Sequence, residues 1–340
     1  MDPKKKKQLL WQVPFLVLLV VGTVLIIRQQ QSMPYQHHTG LVFGTVYNVT
    51  YQYDQDLQQE IEAELKKVDA EFSMFNETST VSKLNRGEHP ALSGMFLDVY
   101  KLAHRVSENT GGAFDITVAP LVNAWGFGFR NEQLPSRHQV DSLLQLVGYR
   151  HLELNGQTLR MGRPGMMLDF SAIAKGYGVD VVTRLLKHHG ISNFMVEIGG
   201  EVTTCGVSPK RLPWRIGVTK PTDDSLQVSK EYQTVLNVTD RSMATSGNYR
   251  NFYYKDGRKY AHTIDPRTGY PVQHSLLSAT VLAADCATAD AYATSFMVMG
   301  MDGARRILEK EKGLMAYLIY TDRQGKLAVW FSPSLKDKLQ

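Results

Sequence analysis

The chain has 340 residues, 43% of them hydrophobic, which is enough for one large domain or two intimate ones. Its formal charge of +5 is lopsided: residues 1–30 hold Lys4, Lys5, Lys6, Lys7 and Arg28 against Asp2, which leaves only +1 for the rest. The basic balance is therefore a property of the tail, and no basic face for nucleic acid is implied.

Trp11 to Ile27 carries no charge. At about 1.5 Å per residue this segment reaches about 26 Å, slightly short of a hydrocarbon core of about 30 Å, and Leu9 and Leu10 extend it. The four-lysine run ahead of it predicts a cytoplasmic start and an exported remainder. An A-x-A-like cleavage site does not follow it, so an uncleaved transmembrane anchor is favoured over a signal peptide. No cysteine lies near it, which excludes a lipid-anchored form. Residues 1–30 are thus expected to be the lysine-rich start and anchor, 31–40 a polar stalk, and 41–337 the exported globular part. Cys205 and Cys286 are the only cysteines, 81 positions apart, and apolar burial is the reading for Cys286. Sequence does not show whether they pair, and no zinc spacing exists.

Residues 40–53 have strand composition. Leu57, Ile61, Leu65, Val68 and Phe72 recur at helical spacing, which predicts an amphipathic helix over 57–72. A second helix fits 94–109 and stops at Gly111-Gly112. Residues 112–129 read as an aromatic, glycine-rich loop, with Trp125, Phe127 and Phe129 assigned to core. A helix near 137–147 follows, then strands near 151–161 and 166–169. Residues 169–190 read as a strand end, an N-cap and a helix. Several strands occupy 193–285, then come helices at 287–298 and 301–311 and strands at 314–321 and 326–331. The mixture has no regular βαβ beat, so the fold class is α+β, and no G-x-G-x-x-G follows a strand.

Four stretches carry candidate chemistry. Asp169 and Ser171 stand as cap residues before a helix whose free N–H groups suit phosphate, with Lys175 one turn in. An ordinary capped helix with a solvated lysine is the competing reading. Asp290 and Thr294 are spaced i, i+4 and offer oxygen to a hard cation such as magnesium, or simply a surface hydrogen bond. Gly199-Gly200 and Gly247 permit close backbone approach or form turns, and Arg250 contacts phosphate or pairs with an acid. Phe114 beside Asp115 offers a wall and an edge partner for a flat heterocycle. "YAHTIDPRTGYPV" adds His262 ahead of a tight turn in which Asp265 and Arg267 hold the bend.

Taken in order, "GGAFDITVAPLVNAWGFG", "LDFSAIAKGYGVD", "VEIGGEV", "ATSGNYRNFYYKDGRKYAHTIDPRTGYPV" and "ATADAYATSFMVMG" resemble the FAD:protein FMN transferase family, the ApbE-like flavin transferases. The resemblance covers roughly residues 40–335. It implies an ApbE-like, T-fold-related fold of mixed sheets with packed helices. It implies magnesium-dependent transfer of FMN from FAD to a Thr or Ser hydroxyl of a target protein, with AMP leaving, a form of protein flavinylation. By position, Asp290, Thr294 and the Ala172 carbonyl are implied metal ligands. Asp169, Lys175, Ile264, the Ala113-Phe114-Asp115 run, Phe43 and Phe75 are implied FAD contacts, and His262 is the implied catalytic base. Many relatives carry Met where Phe43 stands, Tyr where Phe75 stands, Gly-Gly at Ser171-Ala172, and some an acid at Ala293. The implied partner is a membrane redox subunit or exported flavoprotein bearing an S/T-G-A-T segment. This chain has no such segment, so it is expected to modify another protein. The implied setting is the bacterial inner membrane, with the catalytic domain outside the cytoplasm. A magnesium-dependent FAD pyrophosphatase and a non-enzymatic flavin-binding membrane-surface protein are the alternatives.

Overall fold

The computed structural model describes residues 3–128, 134–221, 231–248, 252–255 and 258–339, without the side chains of 3–11, 26–27, 29–32 and 258–259. Phe129 and Arg250 fall outside the described residues. Helix α1 (Pro3–Ser32) holds the predicted anchor. Its apolar side chains are exposed, Phe15 at 66% and Leu18 at 73% among them. Among the described residues no helix is long and apolar enough to cross a membrane, and Trp11, Ile26 and Ile27 at the ends of the predicted span lie outside the described side chains.

Strand β1 (Tyr35–Val42) turns at Phe43 and Gly44, both at positive φ, into β2 (Thr45–Gln52). The expected stalk over 31–40 is corrected here, because its second half is hydrogen-bonded to β2 from Tyr35 onward. Helix α2 (Gln58–Phe72) buries Ile61, Leu65, Val68 and Phe72, the stripe its spacing predicts. A short α3 (Thr80–Asn85) leads to α4 (Gly94–Asn109), whose Ser93 cap accepts from Phe96 N–H. Gly111 and Gly112, at φ 60° and 79°, end it as expected. Next come α5 (Ala119–Ala124) and α6 (Arg137–Leu144), the latter shorter than predicted. The predicted strand over 151–161 is a hairpin, β3 (Leu152–Asn155) and β4 (Thr158–Met161), split by Gly156 at φ 61°.

Residues 166–169 are buried at Met166, Leu168 and Asp169 but form no strand. Leu168 N–H donates to the Asn85 side chain and Asp169 N–H to the Ile116 carbonyl, so no sheet partner is available to them. Helix α7 (Ala174–His188) starts later than predicted. Asp169 accepts from Ser171 N–H at 2.7 Å in a local turn instead of capping the helix.

The remaining strands are β5 (Phe194–Ile198), β6 (Glu201–Cys205), β7 (Trp214–Thr219), β8 (Tyr232–Val238), β9 (Arg241–Gly247), β10 (Phe252–Lys255), β11 (Arg258–Ala261) and β12 (Leu276–Ala283). Helix α8 (Cys286–Lys310), β13 (Met315–Thr321) and β14 (Leu327–Phe331) follow. The two helices predicted over 287–298 and 301–311 are one element broken at Gly300, φ 68° and ψ −174°. At the break the ring of His274 lies 2.8 Å from the Met297 carbonyl. Burial lowers the pKa of His274, which favours the neutral ring there.

Eight strands form one sheet in the order β1-β2-β5-β6-β9-β12-β13-β14. Each of these pairings is antiparallel, so the expected mixed sheet is corrected to an antiparallel one within an α+β fold. Helix α8 lies over β9 and β12, α7 over β5 and β6, and the two helices touch. A main core gathers Phe72, Phe96, Phe170 and Phe296, and a second gathers Tyr47, Ile61, Leu65 and Phe194. Stacking the helices this way brings the first turn of α7 against α8 one turn past its start.

Candidate active site

At the contact of α7 with α8, Gly176 decides the geometry. A Cβ there would sit 2.4 Å from the Cys286 carbonyl oxygen, so only glycine allows this approach. Because α8 comes so near, Gly176 N–H donates to Asp290 Oδ2 at 3.0 Å. Asp290 is 2% exposed, and burial pushes its pKa up, while Lys175 and the Gly176 N–H oppose that shift. Lys175 Nζ stands 3.8 Å from Asp290, 3.4 Å from Glu201 and 3.3 Å from the Ser171 carbonyl. One helical turn beyond Asp290, Thr294 Oγ1 lies 3.1 Å from Ser246 Oγ on β9.

These groups face a cavity of about 400 Å³. Phe75, Ala113, Phe114, Asp115, Asp169, Ala172, Lys175, His262, Ile264, Asp290 and Thr294 all line it. The predicted site residues therefore converge, with one exception. Phe43 packs against α7, where a Cβ on Gly178 would meet its ring at 2.8 Å, and it does not line the cavity. Phe75 is 78% exposed at the mouth. Asp115 is buried, which raises its pKa against three hydrogen bonds, from Thr117 N–H at 2.8 Å, Thr117 hydroxyl at 2.6 Å and Tyr149 N–H at 2.7 Å. Those bonds brace the 113–117 loop and leave little acceptor capacity for a ligand.

The turn after His262 is structural, as expected. Arg267 Nε and Nη2 donate to the two oxygens of Asp265, each at 2.9 Å, and Gly269 at φ 79° closes the bend. Both cysteines are free, and Cys286 is buried.

Glu201, Thr245 and Ser246, which no sequence pattern singles out, also line the cavity. Glu201 stands directly after the Gly199-Gly200 pair in "VEIGGE", and it is 3% exposed. An acid opening a strand directly after a Gly-Gly turn was the available signal.

The donor set fits magnesium. Asp290 supplies a carboxylate, Thr294 a hydroxyl and Ala172 a backbone carbonyl, all hard oxygens at one cavity. The buried acids Asp290 and Glu201 already hold one cation, the Lys175 ammonium, between them. Among the described residues no group of three or more His, Cys, Asp or Glu gathers for a metal.

A model of the ApbE family matches residues 43–319. The chain belongs to the ApbE family. A FAD:protein FMN transferase of Vibrio cholerae is 39% identical over 297 residues, covering 84% of this chain and 88% of its own. That of Escherichia coli K12 is 35% identical, covering 84% and 82%. The solved flavin transferase ApbE from Vibrio cholerae superposes with a TM-score of 0.81 at 37% identity, covering 90% of this chain and 99% of that one. The apo flavinyl transferase ApbE of Pseudomonas stutzeri gives 0.79 at 31%, covering 90% and 97%. The ApbE-like α+β fold with its antiparallel sheet thus accounts for nearly the whole chain. Within it, Ala293 is fully buried in the main core, so the position where some relatives carry an acid faces packing in this chain.

Proposed function

We propose that this ApbE-family transferase moves the FMN half of FAD to a Thr or Ser hydroxyl of a target protein, with magnesium required and AMP released. The observation that carries this reading is the convergence on one cavity of an oxygen donor set, an ammonium, an imidazole and an aromatic wall. The acceptor oxygen attacks the FMN-side phosphorus of the FAD diphosphate. The bond from that phosphorus to the AMP phosphate oxygen breaks, and AMP carries the electron pair away. Lys175 is placed to neutralise phosphate charge, and His262 takes the acceptor's proton. Bound at Asp290, Thr294 and Ala172, magnesium would add charge neutralisation at the diphosphate and the departing AMP. Phe114 and Phe75 offer apolar surface for the flavin.

The partner is a protein bearing an S/T-G-A-T-type segment, such as a membrane redox subunit or an exported flavoprotein. Residues 1–30 serve as a single-pass anchor in the bacterial inner membrane, with the catalytic domain outside the cytoplasm. The lysine run and the exposed apolar side chains from Val13 to Leu25 support this placement. Resistance of the full chain to carbonate extraction from membranes, with loss of membrane retention on deleting residues 1–33, is the expected result. Free release of the full chain would remove the anchor.

One incubation tests the chemistry. The purified chain is mixed with FAD, magnesium and an acceptor carrying S/T-G-A-T, and products are read by mass spectrometry. An FMN-sized adduct on the acceptor and stoichiometric AMP are expected. Free FMN without adduct would make the protein a pyrophosphatase, and neither product would leave only flavin binding.

A further inference from the structure

Four aromatic rings form a continuous stack beside the cavity and end on His262. Trp125 stacks on Tyr260 with centroids 5.7 Å apart and planes at 27°. Tyr260 stacks on Tyr253 at 5.4 Å and 18°, and the two are register partners across the β10–β11 hairpin. Tyr253 stacks on Phe127 at 5.1 Å and 30°. Phe127 then meets the imidazole of His262 edge to face at 6.4 Å. The loop after α5 thus supplies the two outer rings and the hairpin the two inner ones.

Hydrogen bonds lock this interleaving. The Tyr253 hydroxyl donates to the Trp125 carbonyl at 3.0 Å, and Trp125 Nε1–H donates to the Gly269 carbonyl at 2.8 Å. Trp125 is itself rooted in a small cluster with Leu121, Val140, Val147 and Ile264. The loop, the hairpin and the Asp265–Gly269 turn are therefore clamped to one another around His262. Of the four rings only Phe127 lines the cavity, as His262 does.

We infer that Phe127 is a positioning residue for His262: the stack delivers its ring to the flank of the imidazole and holds that imidazole facing the acceptor hydroxyl. The inference rests on the reading of His262 as the general base. A base must sit within hydrogen-bond reach of the proton it takes, and a misplacement of about 1 Å costs roughly 100-fold. An edge-to-face aromatic contact biases one side-chain orientation by roughly two- to twelve-fold. Phe127 therefore adjusts the rate by selecting the productive orientation and takes no proton itself.

A double-mutant cycle in single-turnover FMN transfer tests this with the full chain, FAD, magnesium and an S/T-G-A-T acceptor. Phe127→Ala is expected to slow transfer about tenfold in the otherwise unaltered enzyme. Phe127→Leu, which keeps most of the volume without the ring, should lose nearly as much, and Phe127→Tyr should restore most of the rate. In a His262→Ala background, Phe127→Ala should change the residual rate less than twofold, because the group it positions is gone. An equal loss in both backgrounds, or full activity of Phe127→Leu, would overturn the inference and leave the base assignment standing. A His262→Ala enzyme as fast as the unaltered one would remove the base assignment and this inference together. FAD affinity and thermal midpoint, measured on each variant, separate these outcomes from loss of folding.

Discussion

Lys175 is the residue on which the charge arrangement turns. Its ammonium lies between two buried carboxylates, 3.4 Å from Glu201 and 3.8 Å from Asp290. Burial drives the Asp290 carboxylate toward its neutral form, and the Lys175 ammonium opposes that shift. Asp290→Ala removes the only carboxylate among the proposed metal ligands. Magnesium-dependent FMN transfer should vanish, and transfer that persists in EDTA would contradict the metal assignment. Glu201→Gln removes one acidic partner of Lys175 and leaves Asp290 as another, in direct competition with the ion. The magnesium concentration for half-maximal rate should rise by roughly tenfold or more, while FAD binding without metal changes little. His262→Ala should keep FAD binding and slow transfer by roughly 10²–10⁴-fold, and a stopped-flow transfer assay decides it. Asp290, Thr294, Lys175 and His262 were legible as candidates from spacing and resemblance. Glu201 was not, because an acid at a strand start reads as an ordinary surface residue until the strand is seen to be central in the sheet.

The pair α7 and α8 forms the element on which the site is built. Asp180 on α7 accepts from Cys286 N–H at 2.7 Å and Ala287 N–H at 2.9 Å, capping α8 from a neighbouring helix. Gly176, one turn earlier on α7, reaches Asp290 farther along α8. Gly176→Ala would drive a methyl into the Cys286 carbonyl and push the helices apart. A loss of about 1–3 kcal/mol in denaturant stability, with weaker magnesium binding, is expected. Burial raises the pKa of Asp180 from 3.8 to about 7. The folded protein therefore binds this proton more tightly than the unfolded chain. The associated stability is complete below the unfolded pKa and is lost as pH rises through about 7. Asp180→Asn forfeits one backbone acceptor at every pH but cannot titrate. Its stability deficit relative to the unaltered protein should shrink between pH 5 and pH 8 in urea titrations, and a constant deficit would refute the linkage. Helices α2 and α4 were readable from apolar spacing because each lays one stripe on the core. The start of α7 was misplaced because the Asp169 carboxylate accepts from Ser171 N–H in a local turn, and the helix begins only after Ile173.

At the scale of the whole molecule, the eight-stranded antiparallel sheet organises everything that follows α1. The strong pairings and both large cores lie within residues 35–339, and α1 projects exposed apolar side chains. Deleting residues 1–33 should leave the thermal midpoint and FAD affinity of the remainder within error of the full chain, measured in detergent for both. A large drop would show that α1 belongs to the fold. By itself the sequence determined the local devices: the amphipathic stripes, the glycine stops at 111–112, the break near residue 300, the Asp265–Gly269 turn and the five ordered blocks that mark the family. These are set by neighbours within a few residues, through period, propensity and permitted φ. Only the tertiary structure decided the antiparallel strand order, the approach of α7 to α8 through Gly176, the place of Glu201 beside Lys175, and the packing of Phe43 against α7 away from the cavity. Each of those depends on groups distant in the chain whose contact is fixed by burying the sheet under its helices, and no local pattern records which distant partner a residue will meet.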